Sequence, residues 1–388
     1  MIKPEELAKH YTRFRVTARI LLTGHSHQAW PDCGFEGHQR AWLDTAEYVD
    51  DVWEKAFGKA AEVRRGFARL LDDSPDRIAL AANTHELVVR FLSALPLKQR
   101  PRLVTTDGEF HTIRRQLDRL AEEGIEVVKV AALPAATLAE RLARAVDDHT
   151  AGVLVSAVLY ANAHVVPNLR TVLTASRRVG AELLVDAYHA LNAIPWTLPA
   201  QGLEGAYVVG GGYKYCQLGG GNGFLRIPAD CALRPVVTGW FSEFTELAEA
   251  PAGGPVSYGP GAARFAGATY DPTSHYRAAR VFAFFEEQQL TPEKLREVSR
   301  HQVGLLASGF DALGDDPKVI TRDRSVPLDA IGGFLALRTP NAAQLSAALR
   351  ARGVLTDYRG DVLRLGPAPY VTDRALEAAI GALAEAVA

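Results

Sequence analysis

The sequence predicts an α/β protein, in which a large unit with a mostly parallel sheet covered by helices precedes a smaller C-terminal α+β unit. Short apolar runs alternate with amphipathic stretches between residues 76 and 228, and this alternation is typical of parallel sheets with helices on both faces. It stops at a Gly- and Pro-rich stretch, residues 249–272. The chain has 388 residues, 48% of them hydrophobic, so it is long enough for one large domain and a smaller one.

The strands of the large unit are predicted from its short apolar runs. The run at 151–160 is apolar on both faces, as expected for a central strand. Further strands are predicted at 76–83, 102–108, 125–131, 181–187, 205–212 and 222–228. Sheets of this kind bind ligands beyond the carboxyl ends of their strands. Residues that directly follow these runs are therefore candidates for function.

The helices are predicted from apolar residues at helical spacing. In the stretch 84–95, Leu87, Phe91 and Leu95 recur at that spacing, and Thr84 is a suitable N-cap. Further helices are predicted at 111–124, near 136–147 and at 169–180. For the C-terminal unit we predict a long helix at 274–290, a strand at 332–338, a helix at 341–353, a strand near 361–366 and a terminal helix.

Composition argues against several classes of function. The formal net charge of −2 offers no basic face for nucleic acid. No window approaches the ~18 apolar residues that span a bilayer, and the charged N-terminal stretch lacks the apolar core of a signal peptide. Three scattered cysteines (Cys33, Cys216 and Cys231) suit neither a disulfide framework nor a metal cluster. We therefore predict a cytoplasmic protein with no metal and no membrane or nucleic-acid partner.

One lysine stands in an unusual setting. Lys214 lies in the segment YVVGGGYKYCQLGGGNGFLRIP (207–228), between two tyrosines and among many glycines. A lysine needs such space when its amine carries a bulky group, and pyridoxal phosphate (PLP) is the commonest aldehyde to attach to a lysine as a Schiff base. PLP also needs an acid partner for its pyridine nitrogen, donors for its phosphate and a flat neighbour for its ring. Lys214 is therefore our candidate for a PLP lysine.

The acid partner has a candidate at the end of a predicted strand. Asp186 closes the apolar run in ELLVDAYHA (182–190), where a lone carboxylate would be desolvated without a partner. The alternative interpretation is a turn or helix-capping aspartate. His189, three residues further on, would hydrogen-bond Asp186 or face the cofactor, although a histidine in such a place is more often structural.

The phosphate and the ring have candidates too. Thr84 and His85 begin a helix directly after a predicted strand, where free N–H groups and the helix dipole favour an anion. Tyr213 would add a phenol hydroxyl. Phe110, at a predicted strand-to-helix junction, or else His111, would stack on the ring. Each of these residue types is also common at such positions without a cofactor, so it is their combination that points to PLP.

Four segments in order resemble the fold-type-I PLP enzymes of the group that contains class V aminotransferases, cysteine desulfurases and kynureninases. They are VDAYHALNAIPWTL (185–198), GGGYKYCQLGGG (210–221), TGWFSEF (238–244) and VLTDYRGDVLRLGPAPYVT (354–372). The likeness is greatest to kynureninase, although Asn192 stands where its D-x-x-H-x-x-G-x-x-P segment has a glycine. The resemblance covers most of the chain.

The resemblance implies a division into three regions and a dimer. Residues 46–260 would form the large PLP-binding domain, and residues 261–388 the small domain with its linking helix. Residues 1–45 would contribute to the small domain and to the active-site entrance. The members of the group act as homodimers, in which a loop from the second subunit completes each site; FAGATYDP (265–272) resembles that loop.

The resemblance also implies a role for each matching residue. For the cofactor, Lys214 would form the Schiff base, Asp186 would pair with the pyridine nitrogen with His189 nearby, Phe110 would stack on the ring, and Thr84, His85, Tyr213 and the neighbouring subunit's Thr269 would hold the phosphate. For the amino-acid substrate, Arg364 would grip the α-carboxylate bidentately, a task that suits guanidinium geometry. Trp240 and His25 would lie near the substrate.

The implied reaction is a kynureninase-like hydrolytic cleavage of a Cβ–Cγ bond, which gives alanine and an aromatic acid. The alternatives are a class V aminotransferase, a lyase acting at Cβ or Cγ, and a PLP-fold binding protein without turnover. The departures from kynureninase fall where substrate is recognised: LLTGHSHQAWP (21–31) brings His25 and His27, and Ile113 replaces an aspartate. Desulfurases need a cysteine in the C-terminal third, and this chain has none after Cys231.

Overall fold

The computed structural model describes residues 2–246 and 254–387. Its strands are β1 (Ile20–Leu21), β2 (Ile78–Ala81), β3 (Arg102–Thr106), β4 (Glu126–Val130), β5 (Thr150–Ser156), β6 (Glu182–Asp186), β7 (Tyr207–Gly211), β8 (Gly223–Arg226), β9 (Leu335–Arg338), β10 (Val354–Leu355), β11 (Asp357–Arg359) and β12 (Val362–Leu365). Its α-helices are α1 (Pro4–Ala8), α2 (Cys33–Tyr48), α3 (Val52–Leu71), α4 (Thr84–Ala94), α5 (His111–Glu122), α6 (Leu138–Ala145), α7 (Leu169–Val179), α8 (Leu198–Gln201), α9 (Thr273–Glu287), α10 (Pro292–Leu313), α11 (Ala342–Ala351) and α12 (Asp373–Val387).

The central sheet follows the order β2-β8-β7-β6-β5-β3-β4. From β7 to β4 all neighbouring strands are parallel, whereas β8 is antiparallel to both β7 and β2. The predicted α/β fold with a mostly parallel sheet is confirmed. Because β5, β6 and β7 run the same way, the residues that end them come together at one edge of the sheet.

Both faces of the sheet are covered. Successive residues of β5 belong to different cores: Val153 and Val155 pack in one hydrophobic cluster, and Leu154 packs in the other. This division follows from the two-residue period of a strand. It explains why the run is apolar throughout instead of alternating with polar residues.

Helix α4 begins with an arrangement that differs in one respect from the prediction. Asn83, not Thr84, is the N-cap: its backbone is extended and its side chain accepts a hydrogen bond from Glu86 N. Thr84 is the first helical residue, and its Oγ1 donates to Gly210 O at 3.2 Å. Gly223 allows this close approach, because a Cβ there would lie 2.6 Å from the backbone carbon of Asn83. The helix start is thereby fixed against the end of β7.

The C-terminal unit contains a three-stranded antiparallel sheet in the order β11-β12-β9, with helices α10, α11 and α12 around it. The N-terminal segment joins this unit, because β1 pairs in parallel with β10 through Ile20–Val354 and Leu21–Leu355. Helix α9 packs on α2 and α3. The domain limits at residues 45 and 260 stay predictions. Within residues 2–246 and 254–387, no helix combines the length and the apolar character that crossing a bilayer requires.

Candidate active site

A cavity of about 470 Å³ lies at the carboxyl-terminal edge of the central sheet. This volume is within the range of small-molecule sites. The predicted site residues that line it are Thr84, His85, Phe110, Asp186, His189, Tyr213 and Lys214. They come from the ends of β2, β3, β6 and β7, so their assembly is a direct consequence of the strand order.

Lys214 follows β7 and is almost completely buried, with 6% of its surface exposed. Its Nζ lies 2.7 Å from His189 Nε2, and 4.6 Å from the ring centroid of Tyr188. Gly211 makes room for this arrangement, since a Cβ there would lie 2.4 Å from the Tyr188 hydroxyl. Burial lowers the pKa of Lys214 to about 7, although the Asp186 carboxylate opposes the shift. A large share of the amine is therefore neutral near pH 7.

Asp186 ends β6, and its carboxylate faces the same cavity. Its Oδ1 accepts a hydrogen bond from Tyr188 N at 2.8 Å, and the described residues supply no side-chain donor to the carboxylate. Burial raises the pKa of Asp186, while the Tyr188 N–H and the charge of Lys214 oppose the increase. A buried carboxylate without an ion-pair partner is costly. A ligand with a cationic N–H at this position would remove that cost.

His189 stands between Lys214 and the C-terminal unit. Burial lowers the pKa of His189 well below its ordinary value, with the Lys214 charge acting in the same direction. Its imidazole is therefore neutral, and its Nδ1 has no hydrogen-bond partner among the described residues. With the ring proton on Nδ1, His189 Nε2 accepts from the lysine amine.

The end of the cavity at helix α4 suits an anion. Thr84 and His85 occupy the first two positions of this helix, where backbone N–H groups lack intrahelical partners. Tyr213 also lines the cavity, and burial raises the pKa of its phenol, so the hydroxyl stays protonated and can donate. The glycines of 220–223 complete this wall. Donors and a positive helix end, without bulky side chains, fit a phosphate.

Of the two candidates for stacking, Phe110 lines the cavity and His111 does not. The Phe110 ring centroid lies 5.4 Å from Lys214 Nζ. His111 is the first residue of α5 and is exposed. The structure thus places an aromatic face beside the lysine, as a flat ring would require.

Arg364 and His25, both buried, lie behind the cavity in a cluster with the partly buried Asp357. Arg364 Nε and Nη2 each donate to the Asp357 carboxylate at 2.7 Å, and Nη1 donates to Tyr160 O at 2.7 Å. His25 Nε2 donates to Asp357 Oδ1 at 3.0 Å. Burial lowers the pKa of His25 to about 4 despite this bond, so the ring is neutral near pH 7. The substrate roles of Arg364 and His25 stay predictions.

Trp240 and Thr269 do not reach the cavity of their own chain. Trp240 is 44% exposed, and it lies in the short 3₁₀ helix Trp240–Glu246 beside Phe241 and Phe244. Thr269 is exposed. Their predicted roles need a second subunit and stay predictions.

Further residues line the cavity: His27, which the sequence places in a segment that departs from kynureninase, and four that the sequence did not predict, namely Ser156, Tyr160, Tyr188 and Asn222. The strand pattern contains a signal for Ser156, which ends β5 just as Asp186 ends β6. Tyr188 lies within the DAYH segment, two residues after Asp186. His27 stacks on Tyr213 with ring centroids 4.8 Å apart. Its neighbourhood depends on the folding of the N-terminal segment, which sequence periodicity does not reveal.

These observations fit PLP. The site has a buried lysine with a lowered pKa, a buried carboxylate that is in no ion pair among the described residues, a helix start for a phosphate and an aromatic face. Among the residues that the structure describes, no cluster of three or more His, Cys, Asp and Glu could hold a metal ion.

Comparisons with known proteins point the same way. A family model described as the kynureninase C-terminal domain matches residues 305–383. An uncharacterized aminotransferase, YcbU of Bacillus subtilis, is 23% identical over 350 residues, which cover 88% of each chain. A kynureninase of Burkholderia mallei is 28% identical over 240 residues, which cover 59% of this chain and 54% of that protein.

Solved structures share the whole fold. A mutant of C-DES with glycine covalently linked to its PLP cofactor has a TM-score of 0.83 at 16% identity, and the match covers 97% of this chain and 98% of that one. An apo cysteine desulfurase from Thermococcus onnurineus has a TM-score of 0.81 at 16% identity, with 100% and 98% covered. At such identities the likeness shows the fold alone. Together with the sequence matches, it confirms the resemblance of the motifs: the chain is similar in sequence to an aminotransferase and to kynureninases, and it shares its fold with the PLP-binding C-DES and with a cysteine desulfurase.

Proposed function

We propose that this chain is an enzyme that acts on an α-amino acid, with PLP held covalently by Lys214. One observation carries the proposal: a buried lysine with a pKa near 7 shares a cavity with a buried carboxylate that forms no ion pair with any residue the structure describes. A lysine placed only for stability would be exposed or ion-paired. A ligand that supplies the missing positive group would stabilise such a carboxylate.

The cavity residues divide the work of holding the cofactor. Asp186 would accept a hydrogen bond from the protonated pyridine nitrogen, and Phe110 would cover one face of the ring. The N–H groups at Thr84 and His85 and the Tyr213 hydroxyl would bind the phosphate. When bound, PLP supplies an electron sink for the bonds at the substrate's α-carbon.

Lys214 has a second task once the substrate's amine has taken its place. Its Nζ would then be a free amine that removes the α-proton as general base, and general bases work best with a pKa near the operating pH. His189 would keep the amine oriented through the hydrogen bond now seen at 2.7 Å. Because His189 is neutral and buried, it accepts from the amine without adding a charge beside it.

We propose kynureninase-like hydrolytic cleavage of a Cβ–Cγ bond, giving alanine and an aromatic acid, as the reaction. The match of residues 305–383 to the kynureninase C-terminal domain and the 28% identity to a kynureninase support it. Aminotransfer is the second candidate, because YcbU matches over 88% of the chain. Elimination at Cβ or Cγ is a third, since the same fold serves a cystine C-S lyase. Incubation with kynurenine, then with other amino acids, and measurement of product masses separates these reactions.

Borohydride treatment of PLP-loaded protein should fix a pyridoxyl group on Lys214, and peptide mass mapping should find it there. Because only a neutral amine attacks an aldehyde, the rate of PLP attachment should rise as pH passes upward through about 7, where the Lys214 pKa lies. An ordinary lysine would show that rise near pH 10. The label on another lysine, or a rise only above about pH 9, would overturn the assignment of Lys214.

The active form should be a homodimer in which Thr269 binds the phosphate in the neighbouring subunit. Several large apolar side chains are exposed on the single chain, which favours a partner: Trp42, Leu43, Val49, Trp240 and Phe244. Analytical ultracentrifugation should give a dimer at micromolar protein.

Mixed dimers test directly whether each active site combines residues from both subunits. Thr269→Ala chains should bind PLP weakly, and Lys214→Ala chains should not attach it at all. In a mixed dimer, one site combines the intact Lys214 of one chain with the intact Thr269 of the other, so tight PLP binding should return at that site. Failure of mixing to restore it, or full PLP affinity in a monomer, contradicts the shared site.

The cytoplasmic location also stays a prediction, which rests on the three free cysteines.

A further inference from the structure

A second buried carboxyl lies directly behind the candidate active site. Glu109 is only 1% exposed and immediately precedes Phe110. Its Oε1 accepts hydrogen bonds from Thr106 Oγ1 at 2.6 Å and from Ser156 N at 3.3 Å. Its Oε2 lies 2.6 Å from Ser156 Oγ. All of these partners are neutral, and the described part of the chain supplies no lysine, arginine or histidine contact to the carboxyl.

Asp186, whose charge acts on Glu109, is also a carboxyl, so the two groups repel each other when both are ionised. Thr106 ends β3 and Ser156 ends β5; Ser156 is also paired with Asp186 across β5 and β6. Paired residues on neighbouring strands carry their side chains on the same face of the sheet. The titratable group that acts on Glu109 from the end of β6 is Asp186, whose charge raises the pKa of Glu109. Two buried carboxyls so placed do not both ionise readily, so one of them keeps a proton.

The hydrogen bonds indicate which carboxyl keeps it. The Tyr188 N–H and the charge of Lys214 favour an ionised Asp186, whereas the hydrogen-bond partners of Glu109 are all neutral. Burial raises the pKa of Glu109 to about 7; the hydroxyls of Ser156 and Thr106 oppose this increase, and Asp186 adds to it. Glu109 is thus the carboxyl that we expect to hold a proton at and below neutral pH.

We propose that Glu109 is a positioning residue that carries a proton beside Asp186 and thereby sets the direction of the Ser156 hydroxyl on the cavity wall. A neutral Glu109 donates from Oε2 to Ser156 Oγ, so the hydrogen of Ser156 turns toward the cavity that Ser156 lines. An ionised Glu109 accepts that hydrogen, so the cavity meets an oxygen lone pair. One proton therefore decides whether Ser156 is a donor or an acceptor at the site. The consequence for the cofactor rests on the proposed function, whereas the proton on Glu109 does not.

The proton can be observed without PLP. Difference infrared spectroscopy of the full cofactor-free chain distinguishes protonated from ionised carboxyls as the pH is changed. We expect a protonated carboxyl that is lost with a midpoint near pH 7. The signal should be absent from Glu109→Gln, whose amide imitates the neutral acid and donates to Ser156. It should persist in the control Glu182→Gln, which removes another carboxyl with a burial-raised pKa, at the opposite end of β6.

For two more variants we predict the direction in which the midpoint of this titration shifts. Ser156→Ala removes a donor that stabilises ionised Glu109, so the midpoint should rise by about one pH unit. Asp186→Asn removes the like charge, so the midpoint should fall. An unchanged titration in Glu109→Gln overturns the proposal. So does a midpoint that neither variant moves, which settles the matter even if Glu109→Gln fails to fold.

The PLP-loaded protein gives the second readout. The absorption of the bound cofactor should show a pH-dependent step near pH 7 in the wild type that Glu109→Gln lacks and Glu182→Gln keeps. If the infrared signal behaves as expected but no cofactor binds, the proposed function fails while the proton on Glu109 stands. If PLP binds and the step is equal in wild type and Glu109→Gln, Glu109 has no influence on the site.

Discussion

Asp186→Asn should lower the turnover of the amino-acid substrate by about 100-fold or more while Lys214 still captures PLP. Asparagine keeps an oxygen for the Tyr188 N–H, which Asp186 now binds at 2.8 Å, so the local backbone should not move. It removes the charge that would hold a proton on the pyridine nitrogen, and electrostatic and proton-transfer contributions of this kind are worth about 10²–10⁴-fold. The loss should fall on kcat more than on KM, because no contact to the substrate is removed.

Steady-state kinetics and borohydride labelling of the same variant test this separation. Asp44→Asn is a matched control, since Asp44 is also buried, at 3% exposure, but it accepts a hydrogen bond from the Tyr276 hydroxyl and neither residue lines the cavity. That control should lower the melting temperature and leave kcat unchanged. An Asp186→Asn protein with wild-type kcat would show that the carboxylate does not serve the cofactor.

The meeting of Asp186 and Lys214 could be predicted because topology determines it. Each residue follows a strand of a parallel sheet, and the carboxyl ends of parallel strands share one edge. Ser156, which ends β5, follows the same rule, so the sequence could have predicted its place at this edge as well. These predictions need only the order of apolar runs along the chain, and the structure agrees with the runs to within a few residues.

Other features depend on contacts that local patterns do not encode. The choice between Phe110 and His111 depends on how α5 leaves its strand: Phe110 precedes the helix with an extended backbone, and the turn to the next residue carries His111 into solvent. Glu109 looks like a loop residue in the sequence, and only the approach of β5 reveals its burial. Trp240 and Thr269 do not line the cavity of their own chain, so their predicted roles require a second subunit.

The surroundings of Arg364 could not be predicted from the sequence either. The motif TDYRGDVLRLG (356–366) contains both Asp357 and Arg364, but their pairing arises because β11 and β12 are antiparallel with Asp357 opposite Arg364. Burial raises the pKa of Asp357, and the bonds and charges of His25 and Arg364 outweigh this and lower it to about 2. The guanidinium is therefore held in place by an anion before any substrate arrives.

Arg364→Lys should raise the KM for the amino-acid substrate by about 10- to 100-fold and leave PLP attachment at Lys214 normal. A guanidinium has five N–H donors, and the described contacts use three of them, two for Asp357 and one for Tyr160 O. The remaining two can bind a carboxylate, while Asp357 and Tyr160 O fix the plane of the group. Lysine can keep part of the Asp357 interaction, but it cannot present a second pair of parallel donors.

The expected size follows from the loss of a charge-assisted hydrogen bond, which costs about 1.5–3 kcal/mol. Arg359→Lys is the matched control: it changes an arginine of the same motif whose side chain is about half exposed and lies 3.5 Å from Asp357. That variant should keep its KM, and thermal melting should show that both proteins fold, since the partly buried Asp357 retains a cationic neighbour in each. If Arg364→Lys kept wild-type KM and turnover while Arg359→Lys lost substrate affinity, the carboxylate would bind at Arg359. In that case the buried Arg364–Asp357 pair would serve to join β11 to β12 behind the site.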